Sequence, residues 1–384
     1  VTLEAMAAAL EPDLKRPWEE PVRRHKSLNP GAKVVGCFPV YSPFELIHAA
    51  GALPVGLFGA GNQVELTHAD SRFVSFVCSI AKSTLELAMQ GKLAGFDGLF
   101  FHSICDVARN LSSVVRRNLP DTWVEYLHLP QNPSSSAAAG YLRAELQRIE
   151  RKLGELTGRR PDPNELRRSI VLFNRARGAA RWLYTMRAAD PDRLSTATLY
   201  RLVRSLTFTP VEQWLAQLPR LEAELTRAPA VRRDRIRVVI ESAFCEQPPL
   251  DLLQAVEEGG CHVVDDDLLK GWRWYREPLD ETGDPIDALA RGYLDRSDYS
   301  SVRQDDRRSK PRDLAAKVRR RRADAVLFLV AKFCEPALFD YVLFKQELEK
   351  EKIPHLLIEF EEKMWTFQRV RDEIETFVES ILFG

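Results

Sequence analysis

Residues 96–130 read FDGLFFHSICDVARNLSSVVRRNLPDTWVEYLHLP, and this stretch decides the fold. FDGLFFHS is a short apolar run rich in aromatic residues, the pattern of a buried strand. CDVARNLSSVVRRNLP spaces its apolar residues as a helix does and stops at a proline. WVEYLHLP returns to strand. A strand, a helix and a strand in immediate succession make a βαβ unit, whose strands lie parallel. Upstream the same alternation holds. KVVGCFPV (33–40) is a short buried strand, and PFELIHAAG (43–51) is a helix opened by Pro43 and closed by Gly51. LPVGLFG (53–59) is a further strand, and SRFVSFVCSIAKSTLELAMQGKL (71–93) reads as one helix.

Downstream, QNPSSSAAAG (131–140) is the clearest linker, and from Tyr141 to about Arg227 the pattern is helical. The many arginines there are read as a solvated helix face, with a site for an acidic cofactor as the alternative. Alternation resumes with RIRVVIESAFCEQPP (235–249), HVVDDD (262–267), ADAVLFLVAKF (323–333) and PHLLIEFE (354–361), before a last helix, FQRVRDEIETFVESILF (367–383). Residues 1–30 read as a polar helix and a loop. The expectation is an α/β chain of two parallel-sheet lobes: an N-terminal lobe 1–137, a helical segment 138–230 and a C-terminal lobe 231–384.

At 384 residues the chain exceeds one ordinary core. Its 55 basic and 55 acidic residues cancel, which disfavours nucleic acid as partner. No apolar run is long enough to cross a bilayer, and VTLEAMAAALEPDL lacks the basic start of a signal peptide. A cytoplasmic, reducing location is expected, in which six cysteines stand free or bind metal.

No CxxC pair occurs among them. Cys105, Cys245 and Cys334 each follow an apolar strand and precede an acid, and ligands of open α/β sheets gather beyond the carboxyl ends of strands. Cys105 and Cys334 also open apparent helices, where the helix dipole lowers a thiol's pKa and favours the metal-binding thiolate. Cys78 falls inside a helical pattern that could reach the same crevice. A buried apolar role is the plain alternative for any one of these thiols. Thiolates converging from separate segments suit an iron–sulfur cluster or a zinc ion.

Other signals are weaker. No GxGxxG follows a strand, and neither GxxxxGK[ST] nor HExxH occurs. GLFGAGN reads as a turn, and Asp265, Asp266 and Asp267 read as a polar strand end rather than a hard-cation site. His48 is a candidate acid or base whose commoner role is a hydrogen-bonded, half-buried histidine. Trp272, Trp274 and Tyr275 make an aromatic, basic loop that caps a site or covers a core edge.

GCFPVYSPFELIHAAGALPVGLFG, CSIAKSTLEL, DGLFFHSICDVARNL, SAFCEQPPLDLL and KFCEPALFDY resemble the 2-hydroxyacyl-CoA dehydratase and benzoyl-CoA reductase family from about Val34 to the carboxyl terminus. CDVARNLS and the closing helix resemble most the C-type subunit of the ATP-dependent benzoyl-CoA reductases. The resemblance implies two flavodoxin-like lobes facing a crevice. It implies that Cys78, Cys105 and Cys334, which match the family's CS, CD and FCEP motifs, hold a [4Fe–4S] cluster. Cys37 and Cys261 are then structural, and Cys245 is an accessory ligand or a thiol beside the cluster.

The implied chemistry is ATP-coupled reduction of an aryl-CoA ring to a cyclic dienoyl-CoA by low-potential electrons. The implied partners are a related substrate-site subunit, ATP-binding electron-activating subunits and ferredoxin as upstream donor. Ser42, Glu45 and His48 are the candidates to polarise the thioester carbonyl, by their place in the family's PxEL-type segment. The alternatives are a subunit of an (R)-2-hydroxyacyl-CoA dehydratase, or an electron-transfer subunit that binds no substrate.

Overall fold

The computed structural model describes residues 2–227, 232–242, 245–269, 275–298, 307–361, 364 and 366–384. Strands β1 (Lys33–Cys37), β2 (Ala52–Gly56), β3 (Gly98–His102) and β4 (Trp123–Leu127) form one sheet. Strands β5 (Ile236–Ser242), β6 (Cys261–Asp266), β7 (Ala325–Ala331) and β8 (His355–Phe360) form the second. Every pairing is parallel, and the orders are β2-β1-β3-β4 and β6-β5-β7-β8. In each lobe the first strand lies inside, with the second on one side and the third on the other. This is the flavodoxin order, and it makes a switch point beyond the carboxyl ends of β1 and β3, and of β5 and β7. The α/β class with two flavodoxin-like lobes stands as expected.

β3 and β7 are buried along their whole length, which is why they read as unbroken apolar runs rather than alternating ones. Residues 3–28 depart from the expected helix and loop. They form three short helices, Leu3–Ala8, Glu11–Lys15 and Glu20–Leu28, which with the turn between the last two bury Leu3, Ala7, Leu14, Trp18 and Val22.

Between the lobes run helices Ala138–Thr157, Pro163–Ala189, Thr196–Ser205, Val211–Ala216 and Leu218–Arg227. The longest, Pro163–Ala189, starts at a capping box in which Asp162 and Glu165 answer each other's backbone N–H groups. The expected solvated arginine face needs correction here. Arg177 is buried and paired to buried Glu45 of the N-terminal lobe at 2.5 Å, while Arg187 is paired to Asp266 at the end of β6 at 2.7 Å. Arg187 also stacks on Tyr184, whose hydroxyl donates to Asp266 at 2.9 Å. One helix thus sends a buried guanidinium to each lobe. The acidic run at the strand end is consumed in the same way, since Asp265 pairs with Arg321 at 2.7 Å. Other arginines of the segment do face outward, among them Arg160 in its pair with Glu150.

Candidate metal centre

Three helices begin at a cysteine: Ser79–Met89 at Cys78, Asp106–Asn118 at Cys105 and Glu335–Lys350 at Cys334. Cys105 follows β3 and Cys334 follows β7, the corresponding strand of each lobe. Phe333, at a φ of 65°, turns the chain so that Cys334 can begin its helix. A bulky side chain adopts that left-handed conformation only where surrounding structure holds it.

Cys78 is not inside a helix, as its sequence suggested, but is the residue before one. The apolar residues ahead of it do not make a buried face, since Val74 and Phe76 are 52% and 61% exposed. The loop leading to Cys78 is held from within. Buried Glu86 accepts from the Thr67 hydroxyl, the N–H groups of His68 and Ala69, the His68 ring and the Gln90 amide, at 2.8–2.9 Å. Burial alone would raise this carboxyl, but the hydrogen bonds outweigh it and draw the pKa down from 4.5 to about 2. Ionised Glu86 therefore contributes stability in full above about pH 4.5, and the contribution fades as pH falls toward 2. Urea titrations of wild type and Glu86→Gln are expected to differ by a few kcal/mol at pH 7. The gap should narrow steadily below pH 4.5.

The folded chain brings Cys78, Cys105, Cys245 and Cys334 within electrostatic reach of one another. Burial raises Cys78 well above the ordinary thiol range, and the charges of Glu246, Cys105 and Cys334 add to it. Burial likewise raises Cys245, followed by Cys105, Cys334, Cys78 and Glu246. Burial pushes Cys334 up to about 12, with the Ala337 N–H opposing it and Cys105 and Glu246 adding to it. Cys105 is raised by burial too, although its sulfur accepts the Ala108 N–H at 3.4 Å. The expectation that helix starts would lower these thiols is thereby corrected: desolvation outweighs the first-turn N–H groups. Burial thus favours the neutral thiol at each of these positions.

Among the described residues, no three His, Cys, Asp or Glu side chains close on one point tightly enough to hold a single ion. A four-iron cluster takes its thiolates at separate corners, so its ligands stand further apart than those of one zinc. An all-sulfur donor set from three helix starts in a desolvated crevice is the kind of donor chemistry such a cluster takes. Two of the remaining cysteines lie apart from that set. Cys261 is buried at the amino end of β6, away from the crevice, and Cys37 is buried at the end of β1 with its thiol directed to the Val35 carbonyl at 3.5 Å.

Ser42 and Glu45 line a cavity of about 40 Å³ beyond β1, with Phe38, Phe44, Phe173, Arg177 and Tyr275 among its walls. Ser42 donates to the Phe38 carbonyl at 2.9 Å, and Glu45 is engaged by Arg177. His48 lies outside this cavity, held between Ser169 and Glu212 at 3.0 Å each. Tyr275 of the aromatic loop is buried under the Arg177 guanidinium, 4.8 Å from its ring centre. Trp272 and Trp274 lie outside the described residues. Glu246, absent from the sequence-based candidates, lies buried beside the thiols, and its place directly after a strand-end cysteine was the only local hint.

Residues 39–381 match the 2-hydroxyglutaryl-CoA dehydratase, D-component family. The chain is 35% identical to the C-type subunit of benzoyl-CoA reductase from Thauera aromatica, over 94% of its length and 93% of the relative's. It is 26% identical to the (R)-phenyllactyl-CoA dehydratase beta subunit of Clostridium sporogenes, covering 91% and 92% of the two chains. It is 25% identical to the beta subunit of (R)-2-hydroxyglutaryl-CoA dehydratase from Acidaminococcus fermentans, covering 91% and 93%. With its paired flavodoxin-like sheets and a match of this extent, the chain belongs to the 2-hydroxyacyl-CoA dehydratase and benzoyl-CoA reductase family, whose members here are subunits of enzymes acting on acyl-CoA thioesters.

Proposed function

We propose that this chain is the iron–sulfur subunit of an ATP-dependent aryl-CoA reductase of the benzoyl-CoA type, with Cys78, Cys105 and Cys334 holding a [4Fe–4S] cluster. The observation that carries the reading is the convergence of these thiols at two equivalent switch points, on a chain 35% identical to a benzoyl-CoA reductase subunit. When bound, such a cluster supplies single electrons at low potential. The chain's own residues do the rest. The Ala108 N–H on Cys105 offsets part of the sulfur's negative charge, and the Ala337 N–H does so on Cys334. The fully buried strands β3 and β7 lead to two of the three cysteines and give the set an apolar floor. ATP-binding and ferredoxin-linked partners belong to the same proposal, because no nucleotide motif occurs in this chain.

The cavity beyond β1 speaks against a substrate site at Ser42 and Glu45, which is consistent with a narrower form of the reading, in which this subunit passes electrons and a related partner subunit holds the substrate. A cavity of about 40 Å³ has room for a few waters at roughly 10–15 Å³ each, whereas benzene occupied an engineered cavity of about 150 Å³. Ser42 and Glu45 are already engaged, so neither is set to polarise a thioester carbonyl. The anaerobically assembled complex is expected to reduce benzoyl-CoA with ATP and reduced ferredoxin and to leave a 2-hydroxyacyl-CoA unchanged. Elimination of water from the 2-hydroxyacyl-CoA, with benzoyl-CoA untouched, would instead establish the dehydratase alternative. Substrate bound against Ser42 and Glu45 of this chain would overturn the electron-passing form.

A further inference from the structure

Of the three cysteines that begin helices, Cys78 alone is not fixed by a strand running directly into it. It ends a long loop after β2, and its side chain makes no capping hydrogen bond to the first turn of helix Ser79–Met89. The donors of that turn are answered from the opposite lobe. Buried Glu246 accepts from the Ser79 hydroxyl with one carboxylate oxygen and from the Ile80 N–H at 3.2 Å with the other. Its neighbour Cys245 donates to the Pro39 carbonyl at 3.6 Å, a second bond from the same C-terminal loop to the N-terminal lobe.

An N-terminal turn with unanswered N–H groups is stabilised by a carboxylate, which normally comes from its own chain neighbours. Here it comes from a residue 167 positions away on the other lobe. We propose that Glu246 is a positioning residue, a helix cap supplied across the crevice that sets how far Cys78 stands from the thiols of the C-terminal lobe. The latch is formed in the metal-free chain and does not depend on what the thiols hold. Gln at this position can preserve both bonds, since its carbonyl accepts from Ile80 and its amide donates to the Ser79 hydroxyl. Ala preserves neither.

The test is the rate of iodoacetamide alkylation at each cysteine of the iron-free, reduced full chain, followed by mass spectrometry. Glu246→Ala is expected to speed Cys78 by about tenfold or more, with Cys261 unchanged and Glu246→Gln close to wild type. Ser79→Ala, which removes one bond and leaves the carboxylate in place, is expected to speed Cys78 by a smaller factor. In iron-reconstituted protein, Glu246→Ala should alter the cluster's electron paramagnetic resonance spectrum while Glu246→Gln keeps it. An unchanged Cys78 rate in Glu246→Ala overturns the proposal. If that variant exposes Cys261 as well, an unchanged Cys78 rate in Ser79→Ala overturns it instead.

Discussion

Anaerobically purified Cys334→Ala and Cys105→Ser chains are expected to retain about a tenth or less of the wild-type iron, whereas Cys261→Ala retains all of it. The first two remove a proposed thiolate from a set whose other two members stand at the starts of their own helices. Cys261 is more deeply buried than either, and it stands at the opposite end of its sheet. Burial pushes it up to about 12, so it behaves as a small apolar residue. Iron content by chemical assay and the visible charge-transfer absorbance check the result together. Equal losses in all three variants would show that the effect is global unfolding and that the ligand assignment is wrong.

The second large effect is on stability. Asp266→Asn is expected to lower the free energy of unfolding by about 3–5 kcal/mol, measured by urea titration at neutral pH. The amide still accepts from Tyr184 and from the Leu268 N–H, both at 2.9 Å in the wild type. What it cannot do is neutralise Arg187, whose side chain is 1% exposed. The cost is therefore that of a stranded buried charge rather than of a lost hydrogen bond. Adding Arg187→Met to Asp266→Asn should recover much of the loss, since the guanidinium is gone while the amide oxygen still accepts from Tyr184 and Leu268.

Much of the fold was legible because its inner strands, β3 and β7 among them, are buried on both faces. Runs such as ADAVLFLVAKF carry that signal by themselves, and helices between them force parallel pairing. The first 28 residues were misread because prolines at 12, 17 and 21 interrupt the spacing of Leu14, Trp18 and Val22, which tertiary contact nonetheless buries. At the site, the strand-end cysteines were visible because a topological rule places ligands there. Long-range partners were not. Arg177 lies 132 residues from Glu45, and nothing near either one marks it as buried. Glu246 escaped notice for the same reason. The start of the Cys78 helix was hidden by apolar residues at helical spacing that face outward in the fold, Val74 and Phe76 among them.

Cys105 and Cys334 each follow the third strand of a lobe and each precede an acid, Asp106 and Glu335. Each lobe thus offers one thiol from the same place in its strand order, so the effect of a substitution on one side has a direct counterpart on the other.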